Sequence, residues 1–317
     1  MTRALFLALL LICGPVSAQG FPSKTIRIIA PYAPGGANDL IARYLCERFP
    51  QSFGQPCVVE NRTGAGGMIG IDAAAKAEPD GHTLVMVPNN VAIIPLVYAK
   101  VLYDTQKDLA PIALVAGTPI MLGAHPEFPA KNVAELIAYA KANSGKVNFT
   151  SCGTASPQHL AGELLAAEAG FKWTHVPYKG CGDALTGVLG GQVPVFISTV
   201  AHFNPQIKNA KLRGFAILSP ARSSFAPDYP TLREAGYPDM QFDLWFGLMS
   251  SSRVPAAVQA RLNAEVNKVL QAPDLREKLA QQSYEPLGGT PERFAAAIRA
   301  DMDRYGRAIK EAGIKPE

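Results

Sequence analysis

Residues 26–43, IRIIAPYAPGGANDLIAR, contain the pattern that decides the fold of this chain. A short β-branched run predicts a strand, and the Pro/Gly segment after it predicts a tight loop. Gly35 and Gly36 would let the backbone approach a ligand closely, because glycine has no Cβ. The unpaired N–H groups of the helix start would favour an anion, although an ordinary strand-to-helix turn explains the glycines equally well. The helix itself is predicted from apolar residues at helical spacing: Leu40, Ile41, Tyr44, Leu45 and Phe49.

Residues 1–18 have the features of a secretory signal peptide. Arg3 precedes an apolar run at residues 4–13, and small residues occupy the cleavage positions at 16–18. The apolar run is too short to span a bilayer. We therefore expect cleavage after Ala18 and an exported, soluble protein.

Length and charge narrow the class of protein. A chain of 317 residues exceeds the usual size of one domain, so we expect two lobes. The formal net charge is +4, and no Lys/Arg-rich run or aromatic ladder is present, which argues against nucleic-acid binding. A mildly positive protein is compatible with a small acidic ligand.

Four cysteines remain after the predicted cleavage: Cys46, Cys57, Cys152 and Cys181. An even number of cysteines in an exported protein predicts two disulfides. The sequence allows three pairings, and proximity along the chain favours Cys46 with Cys57 and Cys152 with Cys181. A metal site is the rival interpretation, but no CxxC or HxxxH spacing accompanies the thiols.

Strand, glycine-rich loop and helix recur along the chain. Strands are predicted at residues 57–60, 84–87, 147–150 and 174–178, most of them followed by Gly/Ser-rich loops and helices. This alternation predicts a parallel sheet with helices on both faces, in which ligands bind at the carboxyl ends of the strands.

Residues 109–124, LAPIALVAGTPIMLGA, form a long apolar run that Pro111 and Pro119 interrupt. We interpret this run as an extended crossover into a second lobe, with the return crossing at residues 242–249. In the second lobe, Ser156 is a predicted N-cap and Pro157 a predicted first helical residue. The apolar stripe of the last helix is assigned to the core: Phe294, Ile298, Met302, Tyr305 and Ile309.

Catalysis by a cysteine is one alternative, because Cys152, His159, His175 and Asp183 lie near one another in sequence. A nucleophilic cysteine needs a base within hydrogen-bond reach and a lowered pKa. Export favours oxidation of Cys152, and the chain has neither a GxSxG nor an HExxH motif. An exported cysteine-dependent hydrolase is therefore retained only as the alternative from another functional class.

Five sequence blocks resemble, in the same order, those of the Bug family, the periplasmic solute-binding proteins of tripartite tricarboxylate transporters. The similarity covers essentially the whole mature chain. The blocks are PYAPGGANDLIAR (31–43), VVENRTGAGGMIG (58–70), SCGTASPQHLAGELL (151–165), VPYKGCGDALTGVLGGQV (176–193) and WFGLMSSSRVPAAVQARLN (245–263).

The resemblance implies a type II periplasmic binding protein fold of the α/β class, with two lobes joined by a hinge and a ligand cleft between them. We place lobe I at residues 19–111 and 225–317, and lobe II at residues 112–224. The implied function is capture of a small organic acid, without a cofactor and without catalysis. The implied partners are a carboxylate ligand and either membrane transporter subunits or a sensor protein, and the protein is expected to be a monomer.

The resemblance also implies which residues bind the ligand. In that family, donors of the second lobe hold the ligand carboxylate, and ordered waters bridge it to a loop of the first lobe. The first-lobe set is Tyr32, Pro34, Gly35, Gly36, Ala37, Asn38, Asp39 and Asn89. The second-lobe set is Ser151, Gly153, Thr154, Ala155, Ser156 and His159, with Pro177, Tyr178, Lys179 and Gly180 on the far wall.

Two departures from the family pattern concern specificity. Where the family often has an acidic residue after a strand, this chain has Ser198 and Thr199, which we also assign to the ligand-binding set. Their hydroxyls have no charge, which makes recognition of a ligand ammonium less favourable. Cys152 and Cys181 lie in the two binding loops, where a disulfide would fix the loops before the ligand arrives. A second alternative is an uncharged or aromatic ligand, held by an apolar cleft: Tyr32, Tyr178, Phe203 and Trp245.

Overall fold

The computed structural model describes residues 20–154, 156–178, 180–311 and 313. The predicted signal peptide lies outside these residues. The strands there are β1 (Ile26–Ala30), β2 (Cys57–Asn61), β3 (Thr83–Pro88), β4 (Leu109–Ala124), β5 (Asn148–Thr150), β6 (Thr174–Val176), β7 (Val195–Thr199), β8 (Arg213–Ile217), β9 (Asp243–Ser251) and β10 (Glu285–Pro286). The α-helices there are α1 (Ala37–Cys46), α2 (Phe49–Phe53), α3 (Met68–Ala75), α4 (Ile94–Val97), α5 (Val133–Ala142), α6 (Pro157–Ala169), α7 (Cys181–Leu189), α8 (Val200–Lys208), α9 (Ala256–Val269), α10 (Pro273–Gln281) and α11 (Pro291–Glu311).

The strand, loop and helix predicted at residues 26–43 are present. β1 is buried, a loop occupies residues 31–36, and α1 begins at Ala37 with Gly36 as its N-cap. The helix buries Ile41, Ala42 and Leu45 against the sheet. Phe49 is also buried, but it begins α2 after a break in the helix rather than extending α1.

Two sets of parallel strands form the two ends of one curled sheet. In the first set β1 pairs in parallel with both β2 and β3, and in the second β5 pairs in parallel with both β6 and β7. Because parallel strands end at a common edge, each set presents its carboxyl-terminal loops together. The parallel arrangement predicted from the alternating pattern is confirmed for these six strands.

β4 connects the two sets. Its residues 109–119 pair with β9, and its residues 120–124 pair with β7 and β8, all antiparallel. The predicted crossover is therefore a hydrogen-bonded strand rather than an extended linker. The expectation of an all-parallel sheet is wrong for β4, β8, β9 and β10. The alternating pattern marks only units in which a helix follows a strand, so it did not indicate how these four strands pair.

The return crossing lies at residues 242–243. The Phe242 N–H donates to the Leu218 carbonyl at 2.8 Å, and Asp243 then pairs with Pro119 as β9 begins. Most of the predicted crossing segment is thus strand β9 itself, which pairs with β3 and β4. The exact lobe boundaries at residues 111/112 and 224/225 stay a prediction.

Helix α11 packs against β4, against α4 on the side of the first strand set and against α6 on the side of the second, so it contacts both halves of the molecule. Its predicted apolar stripe is confirmed, since Phe294, Ile298, Tyr305 and Ile309 are buried and Met302 packs against the same core. The Phe294 ring fills the space beside Gly247, whose strand β9 is paired on both sides. Gly247 is therefore required for packing, because a side chain there has no room.

We expect Gly247→Ala to destabilise the protein by about 1–3 kcal/mol, the usual cost of overpacking a core. A Cβ at this position would lie 2.1 Å from the Phe294 ring. The measurement is denaturant unfolding. The matched control is Gly306→Ala in α11, where an added Cβ meets nothing within 4 Å. This substitution should stabilise the protein by about 0.5–1 kcal/mol, because alanine is favoured over glycine within a helix. Equal stability of the two variants would contradict this packing role.

A buried polar cluster lies where α11 meets the start of β9. The Trp245 indole N–H donates to the Asp301 carboxylate at 2.7 Å, and Arg304 lies 3.3 Å from the same carboxylate. Burial raises the pKa of Asp301 to about 6, although Trp245 and Arg304 both act to lower it. Asp301 thus carries a buried negative charge near neutral pH at a cost in stability.

The folded protein should hold a proton on Asp301 more tightly than the unfolded chain does. The resulting stabilisation is present below the ordinary aspartate pKa and is lost as the pH rises through about 6. We expect the unfolding free energy of Asp301→Asn, relative to wild type, to rise by up to about 3 kcal/mol from about pH 4 to about pH 7. Chemical unfolding at a series of pH values checks this. A difference that is constant across the series would exclude Asp301 as the titrating group.

Candidate functional site

The carboxyl ends of β5, β6 and β7 bring three loops together at one edge of the sheet. The loop at residues 151–156 leads into α6, the loop at residues 177–180 leads into α7, and Thr199 is the N-cap of α8. The first N–H groups of an α-helix have no partner within the helix. Three helix amino termini therefore meet at this edge, where the sequence placed the second-lobe binding residues.

The start of α6 matches the sequence prediction. The Ser156 hydroxyl accepts a hydrogen bond from the His159 N–H at 3.2 Å, and Pro157 occupies the first helical position. Ser156 is therefore an N-cap and Pro157 needs no N–H partner, which together fix the direction in which the loop enters the helix.

Ser151 organises the loop before α6. Its hydroxyl is fully buried and lies 2.9 Å from His175 Nε2. The Gly153 N–H and the Ser156 hydroxyl each donate to the Ser151 oxygen at 3.3 Å. Gly153 has a φ of +127°, a conformation that glycine adopts without strain. Thr154 is exposed and Gly153 half-buried, so the tip of this loop is open to a ligand.

Two stacked histidines lie behind the loop. The rings of His159 and His175 are 3.9 Å apart, and the ring of Phe149 packs beside both. Burial and the neighbouring His159 lower the pKa of His175 to about 3, so its imidazole is neutral. His159 is buried, with Glu163 3.6 Å away. His175 thus supports Ser151 directly, and ligand contact by His159 stays a prediction.

Both favoured disulfide pairings are present. Cys152–Cys181 joins the loop after β5 to the start of α7, and Cys46–Cys57 joins the end of α1 to β2. The hydrolase alternative is wrong, because Cys152 is bonded to Cys181 and is no thiolate. Cys152 Sγ also lies 3.6 Å from the Ser198 hydroxyl, which brings the end of β7 against the disulfide.

His202 belongs to this edge and was missed by the sequence reasoning. Its Nδ1 lies 2.9 Å from both the Ser198 and the Thr199 hydroxyls, which were predicted as ligand-binding groups. Burial lowers the pKa of His202, so the imidazole is neutral near pH 7. The position of His202 one turn after two hydroxyl residues at a strand end was the available signal.

In the first lobe, the carboxylate of Asp39 accepts the hydrogen bonds of the loop that was predicted to face a ligand. The Asp39 carboxylate is buried and accepts from the Gly35 N–H at 2.9 Å, from Arg43 and from Asn61. Burial alone would raise the pKa of Asp39, but the hydrogen bonds from Arg43, Gly35 and Asn61 together hold it below the ordinary value. One N–H of this loop is thus already satisfied by Asp39.

Other residues of the predicted first-lobe set donate hydrogen bonds to backbone carbonyls. The Asn38 amide donates to the Met86 carbonyl at 2.7 Å, and the Tyr32 hydroxyl donates to the Gly66 carbonyl at 2.8 Å. Asn89 is fully buried and donates to the Asp243 carbonyl and to the Tyr305 hydroxyl. Pro34, Gly35 and Gly36 are exposed. Direct ligand contact by any of these residues stays a prediction.

The second-lobe set is only partly brought together by described contacts. Pro177 is exposed, Tyr178 and Gly180 are half-buried, and the Tyr178 hydroxyl donates to Gln192 at 3.1 Å. Ala155 and Lys179 lie outside the described residues. Two of the four residues expected to line an apolar cleft for an uncharged or aromatic ligand are not available, because Phe203 and Trp245 are buried in the core.

Other kinds of site find little support in the described part of the chain. No group of three or more His, Cys, Asp or Glu side chains there could hold a metal ion, and none of the helices there could cross a membrane. Two surface grooves, of about 600 and 510 Å³, are lined by residues outside the loops described above.

Comparison with known proteins gives one consistent result. A profile described as "Tripartite tricarboxylate transporter family receptor" matches residues 41–314. Protein BugT of Bordetella pertussis is 35% identical over 322 residues, which cover 99% of each chain. Rpa4515 of R. palustris, solved with adipate, is 28% identical with a TM-score of 0.85 over 94% of this chain and 100% of that one. MatC of Rhodopseudomonas palustris, solved with malate, is 30% identical with a TM-score of 0.79 over 91% of this chain and 100% of that one.

The two disulfides should differ in their effect on the loops. We expect Cys152→Ser/Cys181→Ser and Cys46→Ser/Cys57→Ser each to lower the unfolding free energy by roughly 2–4 kcal/mol. Only the first pair should speed amide hydrogen exchange in residues 151–154 and 181–184, because only that disulfide joins those loops. Hydrogen exchange followed by mass spectrometry measures this, with the Cys46/Cys57 variant as the matched control. Equal exchange in both variants would show that the loops are ordered without the disulfide.

Proposed function

The chain belongs to the tripartite tricarboxylate transporter receptor family, and we propose that it is a periplasmic solute-binding protein for a small organic acid. Solute binding is the function of the family, and the two-lobed α/β fold is shared with its solved members. Two of these hold adipate and malate, which are carboxylates. A carboxylate is therefore the ligand class that we assign to this chain.

The observation that carries this proposal is the meeting of three helix amino termini at the carboxyl ends of β5, β6 and β7. Each terminus stabilises a nearby carboxylate by about 0.3–1 kcal/mol, and several N–H donors converging on one anion add to this. The hydroxyls of Ser151, Ser156, Ser198 and Thr199 lie at the same edge. This edge needs no buried cation to hold an anion.

We propose that the second lobe holds the ligand carboxylate and that the first lobe closes over it. Thr154, Gly153 and the residues beside them would donate to the carboxylate. The exposed segment Pro34, Gly35 and Gly36 would approach through ordered waters, which bind nearly as well as direct contacts. The lobes would close by hinge motion at the crossings in β4 and before β9.

The proposed location is the periplasm, reached through the signal peptide at residues 1–18. Two disulfides suit an oxidising compartment. The proposed partners are membrane transporter subunits or a sensor protein that recognises the closed form. We propose no catalytic turnover, since Cys152 is held in a disulfide and the His159–His175 pair is packed behind Ser151.

A thermal-shift screen tests the ligand class. The probes are mono-, di- and tricarboxylates, amino acids, aromatic acids and neutral analogues. A ligand present at about 100 times its dissociation constant should stabilise the folded protein by about 2.7 kcal/mol, which raises the melting temperature measurably. We expect one or more carboxylates to do so. If a neutral compound raised the melting temperature and no carboxylate did, the proposed ligand class would be wrong.

A further inference from the structure

His202 lies on the first turn of α8, at the edge where the proposed ligand carboxylate is held. Its Nδ1 is 2.9 Å from the Ser198 hydroxyl and 2.9 Å from the Thr199 hydroxyl. Ser198 is in turn 3.6 Å from Cys152 Sγ, in the loop that contains Ser151. A continuous set of contacts therefore joins His202 to the second-lobe binding loop.

The burial of the two hydroxyls decides which imidazole nitrogen has the proton. Ser198 is fully buried and Thr199 is 3% exposed, so neither hydroxyl proton is free to bond to water. Among the described residues, His202 Nδ1 is the one strong acceptor that both hydroxyls reach, since a disulfide sulfur accepts only weakly. A buried donor without a partner costs about 1–3 kcal/mol, which favours an unprotonated Nδ1.

The other ring nitrogen is then an N–H donor. Burial lowers the pKa of His202, so the ring is neutral and its single proton lies on Nε2. No hydrogen-bond partner for Nε2 occurs among the described residues, and the side chain is only half-buried. His202 thus offers one fixed, uncharged donor at this edge of the second lobe.

We propose that His202 Nε2–H donates to the second polar group of a ligand bound at this edge and selects acids in which that group is an oxygen acceptor. Such a group is a second carboxylate, a hydroxyl or a keto oxygen. An ammonium group is disfavoured, because it has no lone pair to accept from Nε2–H. This inference rests on the proposed function and adds to it the chemistry of the second ligand group.

One acidic side chain could reverse this selection. Asp183 lies on the first turn of α7, is exposed, and belongs to the same edge. A carboxylate there would favour an amino acid by pairing with its ammonium group. The two residues therefore predict opposite ligand preferences, which a matched pair of probes separates.

Isothermal titration with succinate and 4-aminobutyrate tests the inference, because these molecules have the same number of carbons, share one carboxylate, and differ at the other end in a carboxylate and an ammonium group. Adipate and 6-aminohexanoate form a second, longer pair. Wild type should bind the acid of a pair more tightly than the amino acid. His202→Leu should lose about ten- to a hundredfold in affinity for that acid, the effect of removing a hydrogen bond to a charged group. His202→Gln, which keeps an N–H donor, should retain most of the affinity.

The matched control is His125→Gln. His125 follows β4 in the same lobe, and its contact is with Glu127 rather than with the binding loops. It should bind both probes as wild type does. Denaturant unfolding measures whether both His202 variants are folded at the temperature of the titration. His202→Leu should be the less stable of the two, because it leaves the Ser198 and Thr199 hydroxyls without their acceptor.

The possible failures are distinguishable. If no carboxylate of the thermal-shift screen binds wild type, the proposed function fails and this inference with it. If acids bind but His202→Leu binds them equally well, only the role of His202 is wrong. If an amino acid binds more tightly than its matched acid and Asp183→Asn abolishes the preference, the selection runs through Asp183 and the inference is overturned.

Nitrogen-15 NMR of labelled histidine tests the donor itself without any ligand. The sequence has five histidines, so loss of one signal set in His202→Gln assigns the residue. We expect the neutral ring with its proton on Nε2 near pH 7. A proton on Nδ1, or on both nitrogens, would contradict the assignment and remove the basis for the proposed selectivity.

Discussion

The continuous backbone hydrogen bonding of β4 is the constraint on which the rest of the structure depends. One strand of 16 residues pairs with β9 along its first part and with β7 and β8 along its last five residues. Pro119, which has no N–H to donate, is the last residue paired with β9, and Ile120 is the first paired with β7. The strand therefore changes partners where its own sequence removes a donor. The second parallel set pairs with it directly through β7, and the first set is joined to it through β9.

The loops at the carboxyl ends of the two parallel strand sets are organised differently. At the second edge a disulfide, a buried serine and a stacked histidine pair fix the loops before any ligand binds. At the first edge Asp39 satisfies the Gly35 N–H, and the exposed loop tip is left without side-chain donors. In the proposed binding mode, preordered loops on the second lobe and a lighter contact from the first would lower the ordering cost of binding and leave the hinge free to move.

The junction between the lobes is polar as well as apolar. Asn89, Asp243, Trp245, Asp301 and Tyr305 are joined by hydrogen bonds where β9 begins and α11 crosses the sheet. Buried polar groups of this kind add little net stability, but each fixes the geometry of its partners because breaking one contact leaves another group unsatisfied. Asn89, expected from the family resemblance to contact the ligand, is placed here, and its described hydrogen bonds hold the crossing.

Several elements follow directly from local chemistry along the chain. The strand, loop and helix at residues 26–46, the Ser156 N-cap with Pro157, and the apolar stripe of α11 all follow from contacts within about four residues along the chain. Contacts between distant parts of the chain came only from the three-dimensional packing: β4 pairs with β9, Asn61 donates to Asp39, and Ser198 lies against the Cys152 disulfide. Pairing between residues as distant as Pro119 and Asp243 is set by the packing of the whole sheet, so no short-range pattern encodes it.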